Sequence, residues 1–168
     1  MSLSMYEASV PALSRMLDNL RGILEKGAAH AEQHKLDASS LTTFRLYPDM
    51  FPLSRQVQIA ADMAKGCAAR LAGADVPSYE DKEVTFAELI ARVEKTAAFV
   101  KSFSSSQIDG SEDREIVLKG RNGEMRFSGK NYLLHFVLPN LHFHVATTYN
   151  ILRHNGVVLG KPDFIGGV

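Results

Sequence analysis

Tyr132–Gly156 reads YLLHFVLPNLHFHVATTYNILRHNG, and this segment has the clearest helical period in the chain. One stripe at every third or fourth position contains Leu133, Val137, Asn140, His144, Thr148 and Ile151. An asparagine and a histidine, four residues apart, therefore lie on an otherwise apolar face of one long helix. An unpaired amide or imidazole in an apolar site costs roughly 2–7 kcal/mol. We therefore expect each to be paired with another buried polar side chain or with a metal ion.

The opposite face of this helix is also largely apolar. It contains His135, Leu138, His142, Val145, Tyr149 and Leu152. Burial on two sides is therefore expected, either by a hairpin or by the second subunit of a homodimer. The first and last long helices are the expected dimer interface. His142 lies about 160° around the helix from His144, so one metal ion is not expected to bind both.

Pro139 lies in the middle of the same helix and cannot donate a backbone hydrogen bond. We expect it to kink the helix or to split it. The distortion falls one residue before Asn140, and such distortions expose backbone carbonyl groups near a cavity.

Apolar residues recur at helical spacing in three further segments. The helices predicted from these stripes, together with the last one, cover residues 5–26, 52–72, 86–103 and 130–154. Thr85 and Glu88 have the spacing of a capping box at the start of the third helix. Gly73, followed by Pro77, is expected to end the second. Four amphipathic helices in a chain of this length predict an all-α, up-down four-helix bundle.

A small β-hairpin is predicted before the last helix. Residues 115–119 and 124–128 alternate apolar and polar side chains, and Asn122-Gly123 between them favours a tight turn. Ile116 and Leu118 would then oppose Met125 and Phe127. Residues 157–168 show no helical period and are expected to form a short tail.

Composition limits the classes of function. The 168 residues fit a single domain spanning 1–168, and the net charge is zero, with 19 basic and 19 acidic residues. This balance argues against nucleic acid or an anionic membrane as partner and leaves a small molecule or another protein. The lone Cys67 cannot form an internal disulfide, and the N-terminal residues do not resemble a secretory signal, so we expect a cytoplasmic location.

The second helix carries the candidate partners for the buried histidine. Gln56 borders the apolar face and is expected to meet Asn140 or His144, whereas Gln58 lies in line with charged residues and is expected to face water. Cys67 is expected to be a small core residue rather than an activated thiolate. The exposed-looking pair His30 and His34 is not expected to hold a metal, because no third ligand accompanies it.

Two segments carry a resemblance to a known group of proteins. YPDMFPLSRQVQIAADMAK, from Tyr47, and FVLPNLHFHVATTYNILRHNGVVLGKPDFIG, from Phe136, resemble a branch of the DinB-like or YfiT-like four-helix bundles that is described as a domain of unknown function. The likeness extends from Ser4 to Gly166. Members of this superfamily are associated with metal-dependent hydrolase or thiol transferase activity, so the resemblance implies a bundle fold and a metal site between its helices.

The resemblance also implies where the metal ligands would lie. Metal-binding members carry H-x-x-x-H on the last helix and a third histidine on the second; here these positions fall on Asn140, His144 and Gln56. Because carboxamides are weak ligands for zinc or nickel, we expect no tightly bound cofactor and a degraded metal site. The first hypothesis is a bundle that binds a small molecule or a partner through Gln56, Asn140, His144 and His142. The alternative is an enzyme in which His144 acts as a base or metal ligand, with Zn or Ni as cofactor.

Overall fold

The architecture is described from a computed structural model that covers residues 3–120 and 123–167. In this part of the chain four long helices form a bundle. They are α1 (Met5–Gln33), α3 (Leu53–Ala72), α4 (Phe86–Lys101) and α7 (Leu138–His154). The short helices are α2 (Ala38–Thr42), α5 (Ser105–Ile108), α6 (Gly129–Asn131) and α8 (Lys161–Ile165). The predicted all-α bundle with an inserted hairpin is confirmed.

Helix α3 lies between α4 and α7, while α1 packs mainly on α4. The core face of α3 is built from small side chains that are completely buried: Ala60, Ala61, Ala64, Cys67, Ala68 and Ala69. Small residues let the neighbouring helices approach closely on both sides of α3. The bundle core therefore surrounds α3, and this enclosure brings side chains of α3 and α7 together.

Helix α1 runs to Gln33, past the end expected at residue 26. Gly27 lies inside the helix and does not end it. At this position a glycine leaves room for neighbouring side chains. A Cβ atom on Gly27 would lie 3.0 Å from Phe86 and 3.1 Å from Leu152. The predicted capping box at α4 is present, since Thr85 Oγ1 accepts from Glu88 N and Glu88 Oε2 accepts from Thr85 N.

The hairpin consists of β1 (Glu115–Gly120) and β2 (Gly123–Ser128), which pair antiparallel. Ile116 pairs with Phe127 and Leu118 with Met125, as predicted. The expected Asn122-Gly123 turn includes position 122, which lies outside the described residues. The hairpin places the side chains of Leu118, Phe127 and Met125 beside the segment that leads into α7.

The last helical run changes its hydrogen-bond pattern just before Pro139. Residues Tyr132–Val137 form a π-helix, in which Leu138 N donates to Leu133 O, and the α-helix α7 begins at Leu138. Proline has no backbone donor and its ring crowds the preceding turn, which a widened turn relieves. The predicted split at Pro139 is thus a change of helix type within a continuous run.

The C-terminal residues were expected to lack helical structure, and this prediction is wrong for Lys161–Ile165, which form α8. Asp163 caps the start of α8, because its Oδ2 accepts from Gly160 N at 2.8 Å. Asp163 also pairs with Lys26 of α1 at 2.6 Å, and Asn19 donates to the Phe164 carbonyl oxygen. These tertiary contacts stabilise a turn too short to show a period.

No helix in the described residues is long and apolar enough to cross a membrane.

The loop between α3 and α4 covers a face of α3 that we expected to meet water. Gln58 and Lys65 are only 5% and 4% exposed, so the prediction that Gln58 faces water is wrong. Gln58 donates to Glu83 at 3.0 Å, and Lys65 pairs with Asp62 at 2.9 Å. Gln58 and Lys65 are buried because a loop rich in acidic residues folds back over this polar face of α3.

Arg92 of α4 holds this loop in place. Its side chain is 2% exposed and its guanidinium lies 3.0 Å from carboxylate oxygens of Asp62, Asp81 and Glu83. It also donates to the Glu80 carbonyl oxygen. A buried guanidinium with several carboxylate partners satisfies all of them at once. Arg92 therefore joins α3, the loop and α4.

We expect Arg92→Met to lower the free energy of unfolding by about 3 kcal/mol, because it leaves carboxylates without their cation while keeping an unbranched stem. Arg126→Met is the matched control: Arg126 pairs with Glu115 and Glu124 on the exposed hairpin, where ion pairs contribute little. Urea denaturation of both variants measures the difference. Equal destabilisation would contradict a special role for Arg92.

Candidate functional site

His144 and Gln56 meet between α7 and α3. Nδ1 of His144 lies 2.6 Å from Oε1 of Gln56, and the two residues are 8% and 1% exposed. Both positions belong to the buried faces of their helices, so the contact follows from the packing of α3 on α7. A buried imidazole is therefore paired with a buried carboxamide.

The hydrogen bonds of Gln56 determine the tautomer of His144. Gln56 Nε2 donates to the Phe51 carbonyl oxygen at 3.0 Å, so Oε1 faces the imidazole as an acceptor. Nδ1 of His144 must then carry a proton. Burial, and after it the positive charge of Arg55, lower the pKa of His144 below its ordinary value of 6.5. The imidazole is neutral near pH 7, and its lone pair is on Nε2.

Nε2 of His144 has no hydrogen-bond partner among the described residues. The ring of Phe143 meets the imidazole edge to face, with centroids 5.2 Å apart. Phe143 and Phe51 are 57% and 54% exposed. The site thus offers one acceptor nitrogen, with the exposed ring of Phe143 against the imidazole.

Asn140 does not join this pair. Its Nδ2 donates to the Phe136 carbonyl oxygen at 2.6 Å, which lies in the π-helical segment before Pro139. The amide therefore satisfies a carbonyl group of the distorted backbone, one turn away from His144. His142 is exposed and lies on a different face of α7 from the buried His144.

The residues present do not fit a tightly bound transition metal. Around His144 they provide one imidazole nitrogen, while the carboxamide of Gln56 is already committed to two hydrogen bonds. Zinc and nickel sites normally use three or four nitrogen, sulfur or carboxylate ligands. No group of three or more histidine, cysteine, aspartate or glutamate side chains suited to a metal occurs in residues 3–120 and 123–167.

Sequence reasoning missed Arg55, Phe51 and Phe143. Phe143 stands next to His144 in the chain, but exposure of an apolar residue on a largely apolar helix has no signature in the sequence. Five grooves in the described part of the chain are lined by other residues and not by Gln56, Asn140 or His144. Cys67 is completely buried and burial raises the pKa of its thiol, which fits a core residue.

The helical bundle with its inserted hairpin is the fold of a DinB-like protein. A crystal structure of a DinB family member protein from Shewanella denitrificans is similar over 97% of this chain and 92% of that chain, with 38% identity and a TM-score of 0.88. Residues 5–165 match a family described as domain of unknown function DUF1993. The chain belongs to that family. No curated protein shows significant similarity to it.

Acidification should destabilise the fold through His144. The pKa of His144 is lower in the folded protein than in the unfolded chain, so on acidification the unfolded chain binds the proton first. The contribution of His144 to stability is therefore fully present above about pH 6.5. It is lost as the pH falls from there toward the folded pKa. His144→Asn keeps a donor for Gln56 Oε1 and removes the titration. We expect the variant to lose less thermal stability than the wild type between about pH 7 and about pH 5. An equal loss in both proteins would contradict this assignment.

Proposed function

We propose that this protein is a non-catalytic DinB-like bundle that binds a small molecule or a partner at His144, through a site that no longer holds a metal tightly. The supporting observation is the bond between His144 Nδ1 and Gln56 Oε1. It leaves Nε2 as a single neutral acceptor, which favours a ligand that presents an O–H or N–H donor. The exposed rings of Phe51 and Phe143 would contact the apolar part of such a ligand.

The degraded metal site rests on the chemistry of three positions. Gln56 and Asn140 stand where metal-binding members of the superfamily are expected to carry histidine, and the amide of Asn140 is bonded to the backbone instead. Carboxamide oxygens bind zinc and nickel weakly. The enzyme alternative keeps one favourable observation, namely that a neutral imidazole with a fixed Nδ1–H is the form required of a general base.

The expected homodimer also stays a prediction. Leu134 and Phe143, on the last helical run, are 38% and 57% exposed and are the side chains that such an interface would cover. Because α8 lies across part of α1, the last helical run would supply most of the interface.

Restoring the missing imidazoles should create a metal site. We expect wild-type protein, purified without a histidine tag, to contain no stoichiometric zinc or nickel, and Gln56→His with Asn140→His to bind about one zinc ion through three nitrogen donors. Elemental analysis and calorimetry measure both. The matched control, Gln56→His with Asn150→His, adds the same number of histidines but places one at an exposed position. One equivalent of metal in the wild type would overturn the degraded site and favour the enzyme alternative.

A small aromatic donor should bind at His144. Phenol presents an O–H group to Nε2 and a ring to Phe51 and Phe143, whereas anisole has the ring without the donor. In NMR titrations we expect phenol to shift the backbone amide signals around position 144 more than anisole does. His144→Asn should remove this preference while keeping the bond to Gln56. If phenol and anisole produce the same shifts, Nε2 is not the binding atom.

A further inference from the structure

A second candidate binding site, which we call the hairpin groove, lies between α3, the α3–α4 loop, the hairpin and the π-helical segment. Its volume is about 570 Å³, which is within the range of small-molecule sites. The side chains that matter here are Arg70, Leu118, Lys119, Met125, Tyr132 and Phe136. Tyr132 precedes His144 by twelve residues, or roughly 18 Å of helix, so the groove is separate from the His144 site.

The polar end of the groove is built around the hydrogen bond between Arg70 and Tyr132. Arg70 Nη1 donates to Tyr132 Oη at 2.9 Å, so the phenol oxygen accepts this bond and keeps its own proton. Burial raises the pKa of Tyr132 to about 12, which keeps the phenol protonated. Tyr132 is 1% exposed, yet its O–H has no acceptor among the described residues. A buried donor of this kind is normally paired.

The charge of the groove favours an anion. Arg70 and Lys119 form no ion pair within residues 3–120 and 123–167. The carboxylate at the rim, Asp62, is already bound by Arg92 at 3.0 Å and by Lys65 at 2.9 Å. A cation in the last turn of α3 complements the helix dipole, which accounts for the charge of Arg70. It does not account for the free O–H of Tyr132.

The other end of the groove is apolar. Phe136 stacks on Tyr132 with ring centroids 5.9 Å apart and planes inclined by 19°. Leu118 and Met125 pair across the hairpin opposite this stack, and Met125 is 43% exposed. An exposed apolar surface next to unpaired cationic donors fits a ligand with both characters.

We propose that the hairpin groove binds a small organic acid, a carboxylate attached to an apolar chain. The carboxylate accepts from the guanidinium of Arg70 and from the O–H of Tyr132, and the apolar chain lies along Phe136, Leu118 and Met125. A carboxylate matches both donors because its two oxygens accept several hydrogen bonds at once. The π-helical turn belongs to this site, since it carries both Tyr132 and Phe136.

Calorimetry with octanoate on the full chain tests this proposal, with octanol and octylammonium as probes that keep the apolar chain and change the head. We expect octanoate to bind and the other two to bind at least tenfold more weakly, since hydrogen bonds to a charged group are lost. Tyr132→Phe, which keeps the ring, and Arg70→Gln should each weaken octanoate binding about tenfold. Arg126→Gln, which removes a positive charge from the hairpin outside the groove, should leave it unchanged.

The proposal is overturned if octanoate does not bind, if octanol binds equally well, or if binding is unchanged in Tyr132→Phe and Arg70→Gln. Met125→Asp tests the groove without changing a buried residue, because Met125 is 43% exposed. It therefore remains informative if the variants at Tyr132 or Arg70 fail to fold. It adds a negative charge beside the apolar chain and is expected to weaken octanoate binding. If Met125→Asp and Arg126→Gln bind octanoate equally well, the groove is not the site.

Discussion

Helix α3 is enclosed on several sides, so each polar side chain that it buries must find a partner within the protein rather than in water. Gln56 finds His144, Gln58 finds Glu83, and Lys65 finds Asp62. The first of these bonds decides which nitrogen of the imidazole stays free. The bond between Gln58 and Glu83 joins the acidic loop to the bundle, whereas Lys65 and Asp62 pair within α3. The chemistry of the candidate site and the course of the α3–α4 connection thus have the same origin.

Gln56 and Asn140 are both compatible with a stable fold, because each makes a hydrogen bond within the protein. A carboxamide at position 56 satisfies a buried imidazole without a cation, and an asparagine at position 140 donates to the backbone carbonyl of Phe136. Neither residue leaves an unpaired group behind. The positions expected to bind metal in other members act here as hydrogen-bond partners.

Most of the fold could be predicted from the sequence because apolar residues recur with regular periodicity. The four long helices, the Thr85 capping box and the hairpin register each depend on residues close together in the chain, and the meeting of Gln56 with His144 follows from two helix faces. The Arg92 network could not be predicted from the sequence, because its members lie on α3, the α3–α4 loop and α4 and show no period. The same holds for α8, which depends on contacts with α1, and for the hairpin groove, whose walls come from four separate segments.

The π-helical turn before Pro139 has a consequence for the relation between the two ends of the last helical run. Each bond of a π-helix spans one residue more than a bond of an α-helix. The turn therefore sets the angular phase between Tyr132 and Phe136 on one side and His144 on the other. Removing a single residue from it would rotate one set by about 100° against the other. The widened turn works as a spacer of one residue, allowing one continuous helix to present aromatic residues to the hairpin and an imidazole to α3.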